Sequence, residues 1–495
     1  MSAPRSLRDI LPEGMSLPDS GRDLTVTGLA LDSRAVRPGF VFAALPGLTT
    51  HGNTFITAAV EAGAVAVLAA RGTPAPVPVL MIEVDDPRLA LAQMAARFFP
   101  AQPACIAAVT GTNGKSSTVE FLRQIWHAAG REAAALGTLG VTRSSGRTDV
   151  GYTTPDAIAL HAALDALSRE GVTHLAMEAS SHGLKQRRMD GAKIALAGFS
   201  NLTQDHLDYH PDFEDYFASK MRLFDELLPE GASAVITVDS EWGEAVVRRA
   251  EARRQQIVTV GWNGRDIQLK EITPHAAFQH VRFVHEGREH ALTLPLMGEF
   301  QASNAFQAAA MALASGVDAA TVFAALENLE GVPGRLELVG ATKDGAPILV
   351  DYAHTPDGLD KLLRAARPHT AGRVVVVFGA GGDRDPTKRE KMGAIAAKLA
   401  DRVIITDDNP RSEEPAAIRA AVLKGTPGAE EIGDREQAIF TAVNALEAGD
   451  TLLIAGKGHE TGQTIKGVVH PFDDGEVARR ALAWRADSQT GERGQ

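Results

Sequence analysis

The chain has 495 residues, of which 44% are hydrophobic and 23% are charged, and its formal net charge is −12. This length predicts about three domains, and the negative charge argues against nucleic acid as the main partner because a basic surface is missing. No apolar run approaches the ~20 residues of a membrane span, so no membrane insertion is expected, and the single cysteine, Cys105, excludes an internal disulfide and fits a reducing, cytoplasmic compartment.

Residues 1–101 are predicted to form the first domain. The first ten residues carry charges and lack an apolar core, so no signal peptide is expected. Two polar stretches beside glycines, 31–34 and 47–52, could bind a ligand, but taken alone they favour a turn or a helix cap. Strands are predicted over 41–45 and 65–69, and helices over 58–66 and 87–99.

A glycine-rich loop, residues 110–117, opens the second predicted domain, residues 102–334. An apolar strand is predicted before the loop and an amphipathic helix after it. This context favours phosphate binding, because backbone N–H groups and the positive end of the helix dipole can approach the anion. Lys115 can reach phosphate oxygens, and the hydroxyl of Ser116 can bind Mg²⁺. The usual P-loop has a glycine where this chain has Val109, so the general pattern is only partly met.

Polar clusters follow two further predicted strands of this domain. Glu178 ends the strand predicted over 173–177, and in a domain with a phosphate loop an acid there can hold Mg²⁺ directly or through water. Asp205 and His206 belong to a segment with further acids and histidines, which suggests metal or phosphate chemistry. A helix-capping acid with surface histidines explains that segment equally well. Lys220 lies in an amphipathic helix, where a solvated lysine is the ordinary expectation.

The end of the second predicted domain has a different pattern of apolar and polar residues. Apolar and polar residues alternate between 267 and 297, which predicts antiparallel hairpins. An alanine-rich helix is predicted to follow, ending at residue 314. It carries Asn304, whose amide could face a ligand or simply lie near the start of the helix.

Residues 335–495 are predicted to form a third domain around a parallel sheet. Strands predicted over 348–352, 373–378, 403–406 and 451–455 alternate with helices. In open α/β sheets ligands bind at the carboxyl ends of strands, so the polar loops at those ends predict a binding site. These loops are residues 351–354, 379–384, 408–411 and 456–460. The glycines of 379–384 resemble a dinucleotide-binding motif, but Arg384 occupies its third glycine position, so NAD is rejected as a cofactor.

Taken in order, these motifs resemble those of the Mur ligases, cytoplasmic ATP-dependent enzymes that add amino acids to the UDP-linked precursor of bacterial peptidoglycan. The resemblance covers nearly the whole chain and rests on 110–117, 178–182, Asp205-His206, Asn304, Pro333-Gly334-Arg335 and Asp351-Tyr352-Ala353-His354. It implies an α/β fold with three domains: a small N-terminal α/β UDP-binding domain, a central P-loop ATPase domain with a parallel sheet, and a C-terminal Rossmann-like α/β domain for the incoming amino acid.

Within the family the chain resembles the members that add meso-diaminopimelate, the third residue of the peptide. This closer resemblance is carried by Leu31-Asp32-Ser33-Arg34, residues 178–184 and residues 456–460, and Asp408-Asn409-Pro410-Arg411 resembles the motif of the members that add meso-diaminopimelate. Diaminopimelate ends in a second carboxylate, with which an arginine can pair bidentately, whereas the ammonium of lysine would be repelled.

The resemblance also implies a reaction. The D-glutamate γ-carboxylate of UDP-N-acetylmuramoyl-L-alanyl-D-glutamate attacks the γ-phosphate of ATP, and the amine of diaminopimelate then attacks the acyl phosphate. Phosphoryl transfer of this kind needs positioning and charge neutralisation more than covalent help, and Lys115 and Mg²⁺ would supply the charge. The expected partners are therefore small molecules, namely ATP, the UDP-linked dipeptide and meso-diaminopimelate, and a monomer is expected.

Roles for individual residues follow from the same resemblance. The expected ATP-binding residues are Gly111, Thr112, Asn113, Gly114, Lys115, Ser116, Ser117, Asn304, Arg335 and Asp351. The expected catalytic residues are Lys115, Glu178, His206 and Lys220, and the expected metal ligands are Ser116, Glu178, His206 and Lys220 as its anionic carbamate. The expected contacts to the UDP-linked dipeptide are Leu31, Ser33, Thr49, Thr50, His51, Thr153, Thr154, Ser180, Gln186 and Arg188. The expected diaminopimelate site is Arg389, Asp408, Asn409, Pro410, Arg411, Gly456 and Glu460.

Two other classes of function stay open at this point. One is a sister ligase, such as a lysine-adding enzyme or a folylpolyglutamate synthetase, against which Arg411 and the complete first domain argue. The other is a nucleotide-binding regulator without catalysis, against which the presence of Lys115, Glu178, His206 and Lys220 argues. Tyr152 stands where some family members have an asparagine that contacts the sugar nucleotide, so it is left out of the site.

Overall fold

The computed structural model describes residues 3–15, 23–47, 50–148, 153–203, 210 and 212–491. The chain divides into two compact units. The first comprises Met1–Arg265 and Gln307–Val322, and the second comprises Asp266–Phe306 and Phe323–Gln495. Among the described helices, none is both long and apolar enough to cross a membrane. The division into three domains with boundaries at 101 and 334 stays a prediction.

The first unit begins with a small sheet and three helices. A short antiparallel pair, β1 (Arg5–Ser6) and β2 (Thr25–Val26), precedes four parallel strands that lie side by side in chain order. These are β3 (Gly28–Ala30), β4 (Phe40–Ala44), β5 (Ala64–Ala70) and β6 (Leu80–Val84), and the helices are α1 (Leu7–Ile10), α2 (Ile56–Glu61) and α3 (Pro87–Phe98). The helix predicted over 58–66 ends early, because Gly63 adopts a φ of 106° and the chain then enters β5.

A larger sheet forms the core of the first unit. Its strands are β7 (Cys105–Thr110), β8 (Ala133–Gly137), β9 (Gly140–Arg143), β10 (Gly146–Thr148), β11 (His174–Glu178), β12 (Ile194–Phe199), β13 (Ser233–Thr237) and β14 (Gln256–Gly261), in the spatial order β10-β9-β8-β11-β7-β12-β13-β14. Strands β9 and β10 are antiparallel to their neighbours, and the others are parallel. The helices are α4 (Lys115–Ala128), α5 (Ala157–Arg169), α6 (Ser181–Lys185), α7 (Phe213–Arg222) and α8 (Glu241–Ala252). Because β7, β11 and β12 are adjacent and parallel, the segments that follow them share one edge of the sheet.

The second unit contains the predicted antiparallel strands and a second parallel sheet. Strands β15 (Ile267–Pro274), β16 (Gln279–His285) and β17 (Arg288–Leu294) pair antiparallel. The helices α9 (Glu299–Ala314) and α10 (Ala319–Leu326) each contribute residues to both units. A six-stranded sheet follows in the order β18-β19-β23-β20-β21-β22, in which only the edge strand β18 is antiparallel.

The elements of this second sheet alternate along the chain, as predicted. Its strands are β18 (Glu337–Ala341), β19 (Pro347–Asp351), β20 (Val374–Phe378), β21 (Arg402–Ile405), β22 (Glu430–Glu431) and β23 (Thr451–Ala455), and a hairpin of β24 (Gly462–Ile465) and β25 (Val468–Pro471) follows. The helices are α11 (Pro356–Ala366), α12 (Thr387–Leu399), α13 (Pro415–Leu423), α14 (Arg435–Asn444) and α15 (Asp474–Gly491). The four polar loops therefore follow the carboxyl ends of β19, β20, β21 and β23, which confirms their predicted placement.

Candidate active site

The glycine-rich loop connects β7 to α4. Gly114 caps α4 with a φ of 86°. Gly111 has a φ of 150°, and a Cβ added there would lie 2.0 Å from Ser200 Oγ. Because only glycine accepts such a conformation and such crowding, the chain can turn tightly here and present backbone N–H groups at the start of α4. That arrangement suits a phosphate group.

The segment after β12 holds this loop in place through hydrogen bonds. The backbone N–H groups of Thr112 and Asn113 donate to the backbone oxygen and to Oδ1 of Asn201, at 2.9 and 3.0 Å. Ser200 Oγ donates to the backbone oxygen of Asn113 at 2.7 Å. The sequence did not identify Ser200 and Asn201 as site residues, because their role depends on β12 lying beside β7.

Lys115 and Lys220 share an acceptor in the loop. Lys115 Nζ donates to the backbone oxygens of Gly111 and Thr112, at 3.0 and 2.8 Å. Lys220 Nζ donates to the same Gly111 oxygen at 2.7 Å and lies 4.3 Å from the centre of the Tyr216 ring. Lys220 is only 1% exposed, so the expectation of a solvated lysine is wrong. Its helix, α7, directs it inward to the phosphate loop.

Glu178 is a buried carboxylate next to Ser116. It is 2% exposed, and its Oε1 accepts from Ser116 Oγ at 2.8 Å and from the backbone N–H of Thr138 at 2.7 Å. Thr138 Oγ1 lies 3.0 Å from Thr153 Oγ1, which brings this expected substrate contact to the same place. The partners of Glu178 in the described part of the chain are hydroxyl and amide groups, not cations. A buried carboxylate beside a hydroxyl and a phosphate loop fits the oxygen ligands that Mg²⁺ prefers.

Further expected substrate contacts form one cluster around the backbone of Glu178. Thr154 Oγ1 donates to the backbone oxygen of Glu178 at 3.0 Å and accepts from Ser180 Oγ at 3.0 Å. Arg188 Nη1 donates to the backbone oxygen of Thr154 at 2.6 Å, and Arg188 Nη2 donates to Gln186 Oε1 at 2.9 Å. The structure thus joins these residues at the end of β11.

Three residues of the expected motifs, Thr49, Asp205 and His206, lie outside the described residues, as does Tyr152, which was left out of the expected site. His210, from the same polar segment as His206, is described and is 1% exposed. Its Nδ1 lies 2.6 Å from Asp215 Oδ2, and its Nε2 lies 3.0 Å from Ser181 Oγ. The alternative of a surface histidine is therefore wrong for His210. In the part of the chain that the structure describes, no group of three His, Cys, Asp or Glu side chains could hold a metal ion.

The expected contacts from the N-terminal region lie beside its small sheet. Leu31 follows β3, and Ser33 begins a short 3₁₀ helix that Asp32 caps. Thr50 and His51 are exposed and lie just before another 3₁₀ helix, after the end of β4. Among the described residues, no hydrogen bond or ion pair joins these four residues to the cluster around Thr154. They share the edge of the small sheet where its parallel strands end.

Three expected nucleotide contacts lie in the second unit and are connected there. Asn304 Nδ2 donates to Gln301 Oε1 at 3.1 Å, and Gln301 Nε2 donates to the backbone oxygen of Arg335 at 2.8 Å. The Asp351 carboxylate accepts from the backbone N–H of Leu336 at 2.7 Å. Burial raises the pKa of the Asp351 carboxyl, and the nearby Arg335 guanidinium opposes that rise. Gln301, which connects the set, was not identified from the sequence.

The loops after β21 and β23 lie against each other. Asn409 Nδ2 donates to Glu460 Oε2 at 2.8 Å. Gly456 has a φ of 115°, and a Cβ added to it would lie 2.5 Å from Asp408 Oδ2. The hairpin β24–β25 supports these loops, because the backbone N–H of Thr464 donates to Asn409 Oδ1 at 2.8 Å. The structure therefore brings Asp408, Asn409, Gly456 and Glu460 together.

The two expected arginines differ in their partners. Arg389 is 5% exposed and forms an ion pair with Glu413, with Nη2 2.7 Å from Oε1. This pairing lowers the pKa of the Glu413 carboxyl. Arg411, next to Pro410, adopts a φ of 53°, and its Nη1 donates to the backbone oxygen of Gly382 at 2.7 Å. Within the described residues Arg411 forms no ion pair, although its charge, after the hydrogen bonds from Ser412, helps to lower the pKa of the nearby Asp383 carboxyl. Its guanidinium can therefore bind a further anion.

Two buried charged groups near these loops were given no role of their own in the sequence analysis. Lys457 is 0% exposed, and its Nζ lies 3.3 Å from Glu460 Oε2 and 3.4 Å from Asn409 Oδ1. Arg435, at the start of α14, pairs with Asp474, at the start of α15, and both side chains are fully buried. Lys457 was predicted only as a member of the polar loop 456–460, and Arg435 was not singled out.

The comparisons with known families match most of the chain. The model of the Mur ligase family, catalytic domain, matches residues 25–99. The model of the Mur ligase middle domain matches residues 109–312, and that of the Mur ligase, glutamate ligase domain, matches residues 334–458.

Two relatives named UDP-N-acetylmuramoyl-L-alanyl-D-glutamate–2,6-diaminopimelate ligase match nearly the full length. The relative from Bradyrhizobium diazoefficiens is 54% identical over 486 residues, which are 97% of this chain and 99% of the relative. The relative from a Chelativorans species is 53% identical over 478 residues, which are 96% of this chain and 98% of the relative.

Solved structures show the same architecture. A structure of a ligase with the same name as these relatives is 33% identical, has a TM-score of 0.74, and covers 98% of this chain and 100% of its own. The MurF ligase of Thermotoga maritima, solved in complex with ADP, is 19% identical, has a TM-score of 0.62, and covers 93% of this chain and 98% of its own. This second likeness shows a shared fold.

Proposed function

The chain belongs to the Mur ligase family, and we propose that it is the ATP-dependent ligase that adds meso-2,6-diaminopimelate to UDP-N-acetylmuramoyl-L-alanyl-D-glutamate in peptidoglycan synthesis. The observation that carries this proposal is the loop after β21. It presents Arg411, which forms no ion pair among the described residues, on the same loop as Asn409, whose side chain bonds Glu460. One cation and one anion at such a site match an amino acid that has both an ammonium and a carboxylate at its far end.

Recognition of diaminopimelate follows from these charges. A guanidinium binds a carboxylate through two parallel N–H···O bonds, so Arg411 would hold the distal carboxylate in a fixed orientation. Arg389 and the Asp408–Gly456 contact would complete the pocket, and Glu460 would attract an ammonium group. L-lysine lacks the distal carboxylate and would leave the charge of Arg411 unpaired, which disfavours its binding.

The glycine-rich loop would serve the first chemical step. An oxygen of the D-glutamate γ-carboxylate forms a bond to the γ-phosphorus of ATP, and the bond between that phosphorus and ADP breaks. Backbone N–H groups of residues 111–117 would hold the phosphates, while Lys115 would leave its bonds to the loop's carbonyl oxygens and neutralise developing charge. Asn304, Arg335 and Asp351 would contact the nucleotide.

The second step forms the amide. The amine of diaminopimelate attacks the acyl carbon and loses a proton, and inorganic phosphate leaves. The cluster of Thr154, Ser180, Gln186 and Arg188 would orient the UDP-linked dipeptide so that its γ-carboxylate lies at the end of β11. Thr153 and the residues beside the small sheet would contact the rest of that substrate.

Mg²⁺ would be held by Ser116, Glu178, His206 and a carbamate on Lys220, and it supplies charge neutralisation for the phosphates. Lys115 and Lys220 both donate to the Gly111 oxygen, so the Lys220 side chain already lies at the phosphate loop. The ammonium group of Lys220 would repel Mg²⁺ there, whereas its carbamate is an anion that could help hold the ion. Activity should then fall in buffer freed of CO₂ and return with bicarbonate. Activity that is indifferent to bicarbonate would refute the carbamate.

The decisive experiment measures phosphate release by the purified protein with ATP, Mg²⁺ and UDP-N-acetylmuramoyl-L-alanyl-D-glutamate. Parallel reactions contain meso-diaminopimelate, L-lysine or no amino acid. Release only with diaminopimelate is expected. Release with lysine instead would contradict the role of Arg411, and release with neither would favour a different ligase substrate or a regulator. We further propose that the protein works as a monomer in the cytoplasm, which sedimentation and cell fractionation would test.

A further inference from the structure

The glycines after β20, which were not expected to bind a dinucleotide, are closely packed. A Cβ added to Gly379 would lie 2.4 Å from the backbone oxygen of Thr406, and one added to Gly382 would lie 2.0 Å from the backbone oxygen of Pro410. A Cβ added to Gly381 would lie 2.8 Å from Arg411 Nη1. None of the three has a positive φ. Glycine is therefore required at these positions because a side chain would collide with the neighbouring loop, and not because the backbone conformation is unusual.

The same glycines also bind that loop through their backbone groups. The N–H of Gly382 donates to the backbone oxygen of Asn409 at 2.9 Å, and the Gly382 oxygen accepts from Arg411 Nη1 at 2.7 Å. The Gly381 oxygen accepts from Arg389 Nη2 at 3.4 Å. Two carbonyl groups of one short turn thus contact both guanidinium groups of the expected amino-acid site.

We propose that Gly381 and Gly382 are positioning residues that set the guanidinium of Arg411 and thereby the preference for an amino acid with a distal carboxylate. This inference rests on the proposed function. Gly382 holds Nη1 from one side, and the missing side chain of Gly381 leaves the space that the guanidinium occupies. The remaining N–H groups of Arg411 are then held in one orientation, and a bidentate pair with a carboxylate requires such an orientation.

Gly381→Ala is the informative variant. Its methyl group would meet the far end of a flexible side chain, so Arg411 can move aside while the fold persists. Gly382→Ala would instead meet backbone and could fail to fold. Gly428→Ala is the matched control, because Gly428 also lacks a positive φ and an added Cβ there meets nothing within 4 Å.

For Gly381→Ala we expect the KM for meso-diaminopimelate to rise about tenfold, the effect of losing one charge-assisted contact. The KM for ATP, kcat and the thermal midpoint should stay near the wild-type values, and the preference for diaminopimelate over L-lysine should fall. Gly428→Ala should change none of these quantities. A purely structural role for Gly381 would lower the thermal midpoint without this selective change in KM.

A double-mutant cycle with Arg411→Ala separates the inference from the proposed function. If Gly381 acts through Arg411, Gly381→Ala should have no further effect on the KM once Arg411 is alanine. An equal effect in both backgrounds would overturn the inference. So would an unchanged KM in Gly381→Ala when Arg411→Ala raises it, although the proposed site would then survive. If Arg411→Ala itself leaves the KM unchanged, the proposed site fails and the inference fails with it.

Discussion

Arg435 and Asp474 form an ion pair that is shielded from water, with Arg435 Nη2 2.7 Å from Asp474 Oδ2 and both side chains 0% exposed. Arg435 also donates to the backbone oxygens of Asp407 and Ala455, at 3.3 and 3.0 Å. These two residues directly precede the two loops of the proposed amino-acid site. The ion pair therefore connects both loops to the start of α15.

Removing one member of this pair should destabilise the protein strongly. Asp474→Ala leaves the Arg435 guanidinium buried without its counter-charge, which costs ~3–5 kcal/mol of folding free energy. Urea unfolding measures the change. Asp357→Ala is the control, because it removes a pair between exposed side chains, Lys361 and Asp357, and should have little effect. Equal effects of the two substitutions would show that burial does not determine the contribution of the Arg435 pair.

Lys457 should act on the amino-acid site through Glu460 and Asn409. Lys457→Met keeps the length of the side chain but removes its charge and its hydrogen bonds to both residues. We expect the KM for diaminopimelate to rise about 10- to 100-fold, since hydrogen bonds to a charged group contribute ~1.5–3 kcal/mol. The KM for ATP should change little. Steady-state kinetics with each substrate varied in turn tests this, with the exposed Lys424→Met as control, and equal increases in both KM values would contradict it.

Much of the fold could be predicted because its strands are short apolar runs bounded by polar loops. The strand predicted over 451–455 is β23 itself, and the loops after β19, β20, β21 and β23 occur where the pattern placed them. Parallel strands end at one edge of a sheet, so strand order alone brought their loops to that edge. The alanine-rich residues before β5 were less informative, because alanine is compatible with both helix and strand. The helix predicted over 58–66 ends early because Gly63 adopts a positive φ.

The contacts that shape the site could not be predicted in the same way. The glycines of 379–382 resembled a nucleotide motif because glycine in a sequence shows only that space is needed, and the neighbour that needs it is known only from the fold. Lys220 and Lys457 are charged, and charged residues are usually exposed, so the helix and loop patterns around them did not by themselves indicate burial. Their burial depends on neighbours that are distant along the chain.

His369 should make stability depend on pH. Its Nδ1 donates to the backbone oxygen of His275 at 2.6 Å, and its Nε2 accepts from the backbone N–H of Gly298 at 2.9 Å, so the folded protein requires the neutral ring. Burial lowers the pKa of the His369 ring below the ordinary histidine value of about 6.5. The stability that the neutral His369 ring contributes is therefore fully present above about pH 6.5. It is lost as the pH falls from there toward the lower folded-state pKa, because the unfolded chain binds the proton first.

The test compares urea midpoints at pH 7.5 and 5.5. His369→Gln should lose less stability between these values than the wild type does, while the exposed His470→Gln should follow the wild type. If His369→Gln loses as much stability between the two pH values as the wild type does, the pH dependence arises from other groups.

Lys115→Ala should abolish turnover and leave the fold intact. The side chain is only half-buried, so its removal should create no large cavity. Phosphate release should become undetectable while the thermal midpoint stays close to that of the wild type. The exposed Lys193→Ala serves as control and should retain activity. Near-normal turnover in Lys115→Ala would rule out its role at the phosphates.

Glu178→Gln should lower activity without lowering stability, whereas the main effect of Asp474→Ala is a loss of stability. Glutamine keeps an oxygen that can accept from Ser116 and Thr138, and it removes a buried charge whose described partners are all neutral. We therefore expect unchanged or slightly higher stability, together with a loss of turnover of about 10²–10³-fold, the size found when one charge-stabilising group is removed. A titration with Mg²⁺ at saturating substrates should show a higher requirement for the ion. A wild-type requirement would exclude Glu178 from the metal site, and a parallel loss of stability would make its role structural.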